Sequence, residues 1–106
     1  MLTKLRFCDD LDITIILSAM MGIYTYYQQF HGRPAYHGKG GQRLYFLYGS
    51  GWLLGPTLGN PTGFIHNQDQ TTLCPYLIVN IQWVYVFHNN WNYDPTLIVR
   101  CADKVI

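Results

Sequence analysis

The chain has 106 residues and a mass of 12.3 kDa, which suits a single β domain over residues 1–106 and is too short for two ordinary cores. Aromatic residues make up 16% and charged residues 12%, and every acidic residue is Asp, so a disordered chain and a helical bundle are both excluded. The net charge of +1 gives, at the level of the whole chain, no electrostatic sign of a nucleic-acid or anionic-membrane partner.

An apolar stretch near the N-terminus covers residues 13–23, about half of the roughly 20 residues that a membrane-spanning helix needs. Asp9, Asp10 and Asp12 precede it, where a secretory signal peptide carries basic residues. The stretch is therefore predicted to be a buried strand or core segment and not a membrane span. A signal peptide is the alternative that remains.

Short runs rich in β-branched and aromatic residues alternate with turn signals along the whole chain. This pattern predicts an all-β fold, a small antiparallel β-sandwich or partly open barrel of roughly seven to nine short strands. Gly49-Ser50-Gly51 is the clearest hairpin loop, and the Gly- and Pro-rich segment 55–63 is a predicted loop. The predicted strands are residues 4–7, 13–17, 22–28, 34–37, 44–48, 52–54, 63–66, 77–87 and 97–101.

Residues 77–87 form the most aggregation-prone window, with neither charge nor Pro, and are predicted to form one strand. Strand alternation places Trp83 and the odd-numbered positions toward the main core. The even-numbered positions, including Ile78, Asn80 and Gln82, then form a half-covered or subunit-facing surface. On this prediction, Ile78→Lys spares folding and blocks assembly.

Residues 89–95 are predicted to form a polar turn punctuated by Trp91 and Tyr93, because Asx residues favour such turns. One interpretation is a loop held by a buried Trp. The other is a ligand platform in which Asn90 and Asn92 flank the aromatic rings.

Three cysteines allow one disulfide at most. Cys8 lies near one end and Cys101 near the other, and pairing of the two terminal strands predicts a Cys8–Cys101 disulfide. Cys74 is then either buried or an intermolecular bridge. Three buried thiols in a cytosolic protein are the alternative.

No arrangement of residues typical of an active site occurs in the sequence. Ser18 and Ser50 lack the nucleophile-elbow pattern, and the histidines lack metal-ligand spacing, so each His is interpreted as an isolated surface or edge residue. The Asp residues at positions 9, 10 and 12 lack the loop of an EF-hand and are interpreted as a solvated turn. We therefore expect no catalytic residue, no metal and no cofactor, and the protein is predicted not to be an enzyme.

Residues 22–63 carry several spaced motifs: HGRPAY from His31, LYF from Leu44 and WLLGP from Trp52. Together they resemble a small extracellular β-module of the "GxY…NGRPxY…LYY…GxWxIGPxLG" type, which occurs in repetitive multi-domain eukaryotic proteins. This chain has His31 where that module has Asn. The resemblance implies an exported β-module and brings no catalytic residues.

Low charge and a surplus of Tyr and Trp predict a partner surface, because a domain of this size does not bury all of its aromatic rings. The leading prediction is a non-enzymatic extracellular structural or adhesive module that assembles with copies of itself or with neighbouring modules into a fibre or array. The alternative is a carbohydrate-binding module with Tyr and Trp platforms. Its hydroxyl contacts would come from Asn89, Asn90, Asn92, Gln68 and Asp69. The interface or ligand candidates are Ile78, Asn80, Gln82, Trp91, Tyr93, Asn90, Asn92 and Cys74.

Overall fold

The computed structural model describes residues 8, 10–15, 20–79, 81–87 and 89–102. In these ranges the chain is all-β, with nine antiparallel strands in one curled, half-barrel sheet, which confirms the predicted fold class. The strands are β1 (Leu11–Thr14), β2 (Gly22–Phe30), β3 (Arg33–His37), β4 (Arg43–Leu47), β5 (Gly51–Gly55), β6 (Ile65–Asn67), β7 (Val84–Phe87), β8 (Asn90–Tyr93) and β9 (Ile98–Cys101).

The curl of the sheet follows from its strand order, β8-β7-β6-β5-β4-β3-β2-β1-β9. Strands β8 and β9 are consecutive in the chain, yet they occupy opposite edges of the sheet. The connection from Tyr93 to Ile98 spans at most about 18 Å, whereas the edges of a flat nine-stranded sheet lie about 38 Å apart. The sheet must therefore bend until its two edges approach each other.

The main core fills the inside of this curl. Trp52 and Leu54 of β5 point inward, while Leu53 between them points outward, as strand alternation requires. The largest fully buried side chains are Trp52, Tyr24, Tyr36, Tyr45 and Phe46. All of them except Tyr45 belong to the inner core.

A second, smaller core lies on the outer face, where Ala35, Tyr45 and Leu53 are buried. The segment between β5 and β6 contributes Leu58 to this core. The Tyr45 hydroxyl donates a 2.6 Å hydrogen bond to the Asn60 carbonyl oxygen, so the predicted 55–63 loop is tied to the sheet.

The predicted β4–β5 hairpin is confirmed, with its loop displaced by one residue to 48–50 because Leu47 pairs with Gly51. Gly49 and Gly51 adopt positive φ angles of 83° and 101°. His31 also has a positive φ, 53°, in the turn between β2 and β3. His is one of the few residue types besides Gly that adopt this backbone region more often than most.

The predicted long strand 77–87 is wrong in its first part. Pro75 begins a 3-10 turn, Pro75–Leu77, and only residues 84–87 pair as a strand. Leu77 and Val79 are 56% and 84% exposed, whereas Trp83 is buried as predicted. Proline lacks a backbone N–H and fixes its own φ angle, which suits the start of a turn.

The structure also changes the predictions for residues 89–95 and for the N-terminal segment. Residues 89–95, predicted to form a polar turn, are in part strand β8, which pairs with β7. Asn89, directly before β8, adopts a positive φ of 63°. The predicted strand 13–17 overlaps β1 at residues 13 and 14, because β1 begins at Leu11 and ends at Thr14. Residues 16 and 17 lie outside the described residues. The predicted strand 4–7 lies outside the described residues.

The predicted Cys8–Cys101 disulfide is wrong, because Cys8 bonds to Cys74 and their Cα atoms lie 5.5 Å apart. The N-terminal strand that pairs with β9 is β1, and its first residue, Leu11, lies opposite Cys101. Cys8 therefore precedes this pairing and meets the segment that ends at Cys74. Cys101 keeps its thiol, and the expected intermolecular role of Cys74 is excluded by its bond to Cys8.

No helix in the described ranges combines the length and hydropathy that crossing a membrane demands.

Candidate functional site

A cleft on the outer face of strands β5 to β8 is the most distinctive surface feature. Strand pairing places Leu53, His66 and Val84 side by side on this face. Two adjoining hollows of about 440 and 290 Å³ share His66 and Gln68 in their linings. The outer cleft is lined by Gly49, Ser50, Leu53, Pro61, His66, Gln68, Ile81, Gln82, Val84 and Trp91.

His66 is held at the centre of the outer cleft. Its Nε2 lies 2.6 Å from the Ser50 carbonyl oxygen. A carbonyl oxygen only accepts hydrogen bonds, so Nε2 carries the proton and donates it. The imidazole is thereby fixed between the β4–β5 turn and Trp91, whose ring centroid lies 5.4 Å away at a 45° tilt.

Trp91 differs from the other two tryptophans of the chain. Trp52 and Trp83 are 0% and 7% exposed and belong to the core, whereas Trp91 is 49% exposed. The interpretation of residues 89–95 as a loop held by a buried Trp is therefore wrong. Trp91 presents an aromatic surface beside the cleft.

The outer cleft contains polar side chains. Among the described residues that line it, none is Asp, Lys or Arg. The side-chain amides of Gln68 and Gln82 make no hydrogen bond to the part of the chain that the structure describes. Both amides are therefore available to a ligand.

The outer edge of β8 is a second candidate site. The Val86 N–H donates a 2.9 Å hydrogen bond to the Phe64 carbonyl, so Val86 faces away from β8. Its partner across the strands is Trp91, which therefore belongs to a non-hydrogen-bonded pair, as does Tyr93 two residues later. The backbone N–H and C=O groups of Trp91 and Tyr93 point outward from the sheet.

The structure brings together three of the predicted candidates. Gln82 lines the outer cleft, Trp91 borders it, and Tyr93 shares the outer face with Trp91. Gln68, expected to contact a ligand hydroxyl, also lines it. His66 and Ser50 were not predicted as site residues. Once residues 65–67 are recognised as a strand, alternation between the buried Ile65 and Asn67 places the His66 side chain on the outer face.

The other candidates lie elsewhere. Asn90 and Asn92 alternate with Trp91 and Tyr93 along β8, so their side chains lie on the opposite face of the sheet. The Asn92 side-chain amide donates a hydrogen bond to the Asn90 carbonyl oxygen. Ile78 packs against the main core, and Cys74 is buried in the disulfide. Asn80 lies outside the described residues.

The buried aspartates have structural roles. Asp69 was expected to contact a ligand hydroxyl, but its carboxylate accepts hydrogen bonds from the Thr71 and Thr72 amides and the Thr72 hydroxyl. Asp94 caps the turn before β9 through Thr96. Among the described residues, no group of three or more His, Cys or Asp side chains has the geometry to hold a metal ion.

Comparison with known proteins finds no matching protein-family model, no similar curated protein and no similar solved structure.

Proposed function

We propose that the chain is a non-enzymatic extracellular module that associates with a second copy of itself through strand β8, in a structural or adhesive assembly. The observation that carries this proposal is the outward-pointing backbone of Trp91 and Tyr93 on a strand, Asn90–Tyr93, with no charge and no proline. Sheet edges without charge or proline invite the addition of another strand.

The other edge of the sheet is less suited to strand addition. Strand β9 carries Arg100, which forms a 3.2 Å ion pair with Asp12 of β1. A charged side chain on an edge strand opposes pairing with another chain. Strand β8 is therefore the favoured contact.

A two-fold register centred on Asn92 fits the geometry of this edge. It sets Trp91 opposite Tyr93 of the second copy, and each such antiparallel pair exchanges two backbone hydrogen bonds. The same register places the Trp91 and Tyr93 rings of the two copies on one face, where aromatic cross-strand pairs add stability. In a protein that carries the module more than once, this contact links neighbouring chains into an array.

The disulfide supports an extracellular location. Cys8 and Cys74 are both buried, and their bond closes a loop with a sequence separation of 66. Disulfides form and persist in secreted and cell-surface proteins, and they are rare in the cytosol.

Sedimentation equilibrium over a range of concentrations tests the proposal with the chain and its Tyr93→Pro variant. The Tyr93 N–H points away from β7, so proline removes an outward donor and leaves the β7–β8 hydrogen bonds in place. We expect a concentration-dependent dimer whose dissociation constant rises at least about tenfold in Tyr93→Pro. Tyr93→Ala is the matched control, because it keeps the donor and loses only the ring, and its effect should be smaller.

Tyr93→Lys provides a second edge variant if the proline variant proves less stable, since a lysine on an edge strand opposes pairing. A chain that stays monomeric up to about 1 mM contradicts the proposal. Dimerisation of Tyr93→Pro and Tyr93→Lys as tight as that of the original chain contradicts it as well.

A further inference from the structure

We infer that the outer cleft binds a neutral oligosaccharide, with Trp91 as the stacking surface and Gln68 and Gln82 as hydrogen-bonding groups. This site shares Trp91 with the proposed contact between copies but uses different groups of the chain. The cleft uses outward side chains of β6 and its neighbours, whereas the contact uses the backbone edge of β8.

The aromatic surface suits the apolar face of a sugar ring. Trp91 is half exposed, and its ring packs at a 45° tilt against His66, whose imidazole the Ser50 carbonyl holds. A flat, rigid aromatic ring offers contact area at little cost in conformational entropy. The hollow that Gln68 and Gln82 line has a volume of about 440 Å³, within the range of about 300–1,000 Å³ typical of small-ligand sites. Trp91 lines the adjoining hollow of about 290 Å³.

The polar groups determine the class of ligand. Each Gln amide offers both a donor and an acceptor, which matches a hydroxyl group that donates and accepts. Within the part of the chain that the structure describes, no Lys or Arg lines the cleft to bind a sulfate, phosphate or sugar carboxylate, and no Asp lines it to bind an amine. These groups therefore favour an uncharged ligand that carries several hydroxyl groups.

The tryptophan residues provide a direct measurement. Trp52 and Trp83 are buried, so acrylamide quenching of tryptophan fluorescence reports chiefly on Trp91. The probes are neutral hexamers of glucose, mannose and N-acetylglucosamine, with a heparin hexasaccharide as the anionic comparator. We expect at least one neutral hexamer to protect Trp91 from quenching in a saturable manner, and heparin to give no protection.

Two cleft variants and one control test the assignment of residues. Gln68→Ala and Gln82→Ala should each weaken binding of the neutral hexamer about fivefold to tenfold, the loss expected for one hydrogen bond. Gln29→Ala, an exposed change on β2 outside the cleft, should leave binding unchanged. Tyr93→Pro should also retain sugar binding, which separates this site from the proposed self-association.

Four results would overturn the inference. The first is that no neutral hexamer protects Trp91 at about 10 mM, and the second is that heparin protects it better than any neutral hexamer. The third is that both Gln variants bind the hexamer as tightly as the original chain. Protection of Trp91 at high protein concentration with no effect of sugar would assign this face to a second copy of the chain instead.

Discussion

The ring of Tyr24 lies against the backbone of Gly38 so closely that a Cβ atom added at Gly38 would be 2.7 Å from it. Gly38 follows β3 at the start of the turn toward β4, and Tyr24 is 1% exposed in the inner core. The absence of a side chain at Gly38 therefore allows a large aromatic ring to pack beneath the turn.

Gly38→Ala should lower the free energy of unfolding by about 1–3 kcal/mol, the usual cost of overpacking. Urea denaturation measures this change. In a Tyr24→Leu background the ring is absent, so the same Gly38→Ala change should cost less. An equal cost in both backgrounds would show that the Tyr24 contact is not the cause.

Alkaline pH should destabilise the fold through Tyr24. Burial raises the pKa of Tyr24 from 10.0 to about 12, and its hydroxyl donates a 2.9 Å hydrogen bond to the Met20 carbonyl. Below pH 10 the residue is neutral in both states and its contribution to stability is complete. Between pH 10 and 12 the unfolded chain ionises first, so stability falls as pH rises. Urea denaturation along this pH series should show a shallower decline for Tyr24→Phe, and identical declines would contradict the assignment.

Loss of the disulfide should lower stability by about 4 kcal/mol, the chain-entropy value for a sequence separation of 66. Cys8→Ser and Cys74→Ser should have this effect, as measured by thermal or urea unfolding. Cys101→Ser is the control and should retain the disulfide. Mass-spectrometric mapping of the non-reduced protein distinguishes the two pairings, because a Cys8–Cys101 peptide would contradict the observed bond.

Ile78→Lys should destabilise the fold by about 1–2 kcal/mol, contrary to the prediction that it spares folding. Ile78 is half buried against the main core, whereas the adjacent Val79 is 84% exposed. Val79→Lys is therefore the matched control and should change stability by less than about 0.5 kcal/mol. Urea denaturation of the two variants compares them directly, and equal effects would argue against the packing of Ile78.

Replacement of Trp83 and of Trp91 by alanine should lower the free energy of unfolding by different amounts. Trp83→Ala should cost about 3–5 kcal/mol because its ring is buried in the core. Trp91→Ala should cost less than about 1 kcal/mol, since half of its surface faces solvent. Thermal unfolding of both variants tests this order, and a larger cost for Trp91→Ala would reverse the roles assigned to them.

Much of the fold was predictable because it depends on local chemistry. Short alternating runs predict strands, and Gly49 and Gly51 predict the β4–β5 hairpin, since a tight turn there requires positive φ angles. The candidate site was predictable in part. Trp91, Tyr93, Gln68 and Gln82 were recognised as residue types that bind partners, but their mutual positions were not.

The remaining features are determined by contacts between residues distant in sequence. The sequence alone establishes a small β domain, rich in aromatic residues and poor in charge. Only the tertiary structure decides that Cys8 meets Cys74, because the choice depends on which N-terminal strand lies beside β9. Likewise, His66 is brought beside Ser50 and Trp91 by the pairing of β5 with β6 and of β7 with β8. The register of these strand pairs is set by which side chains the whole sheet buries. A shift of one residue in a strand would turn all of its side chains to the opposite face.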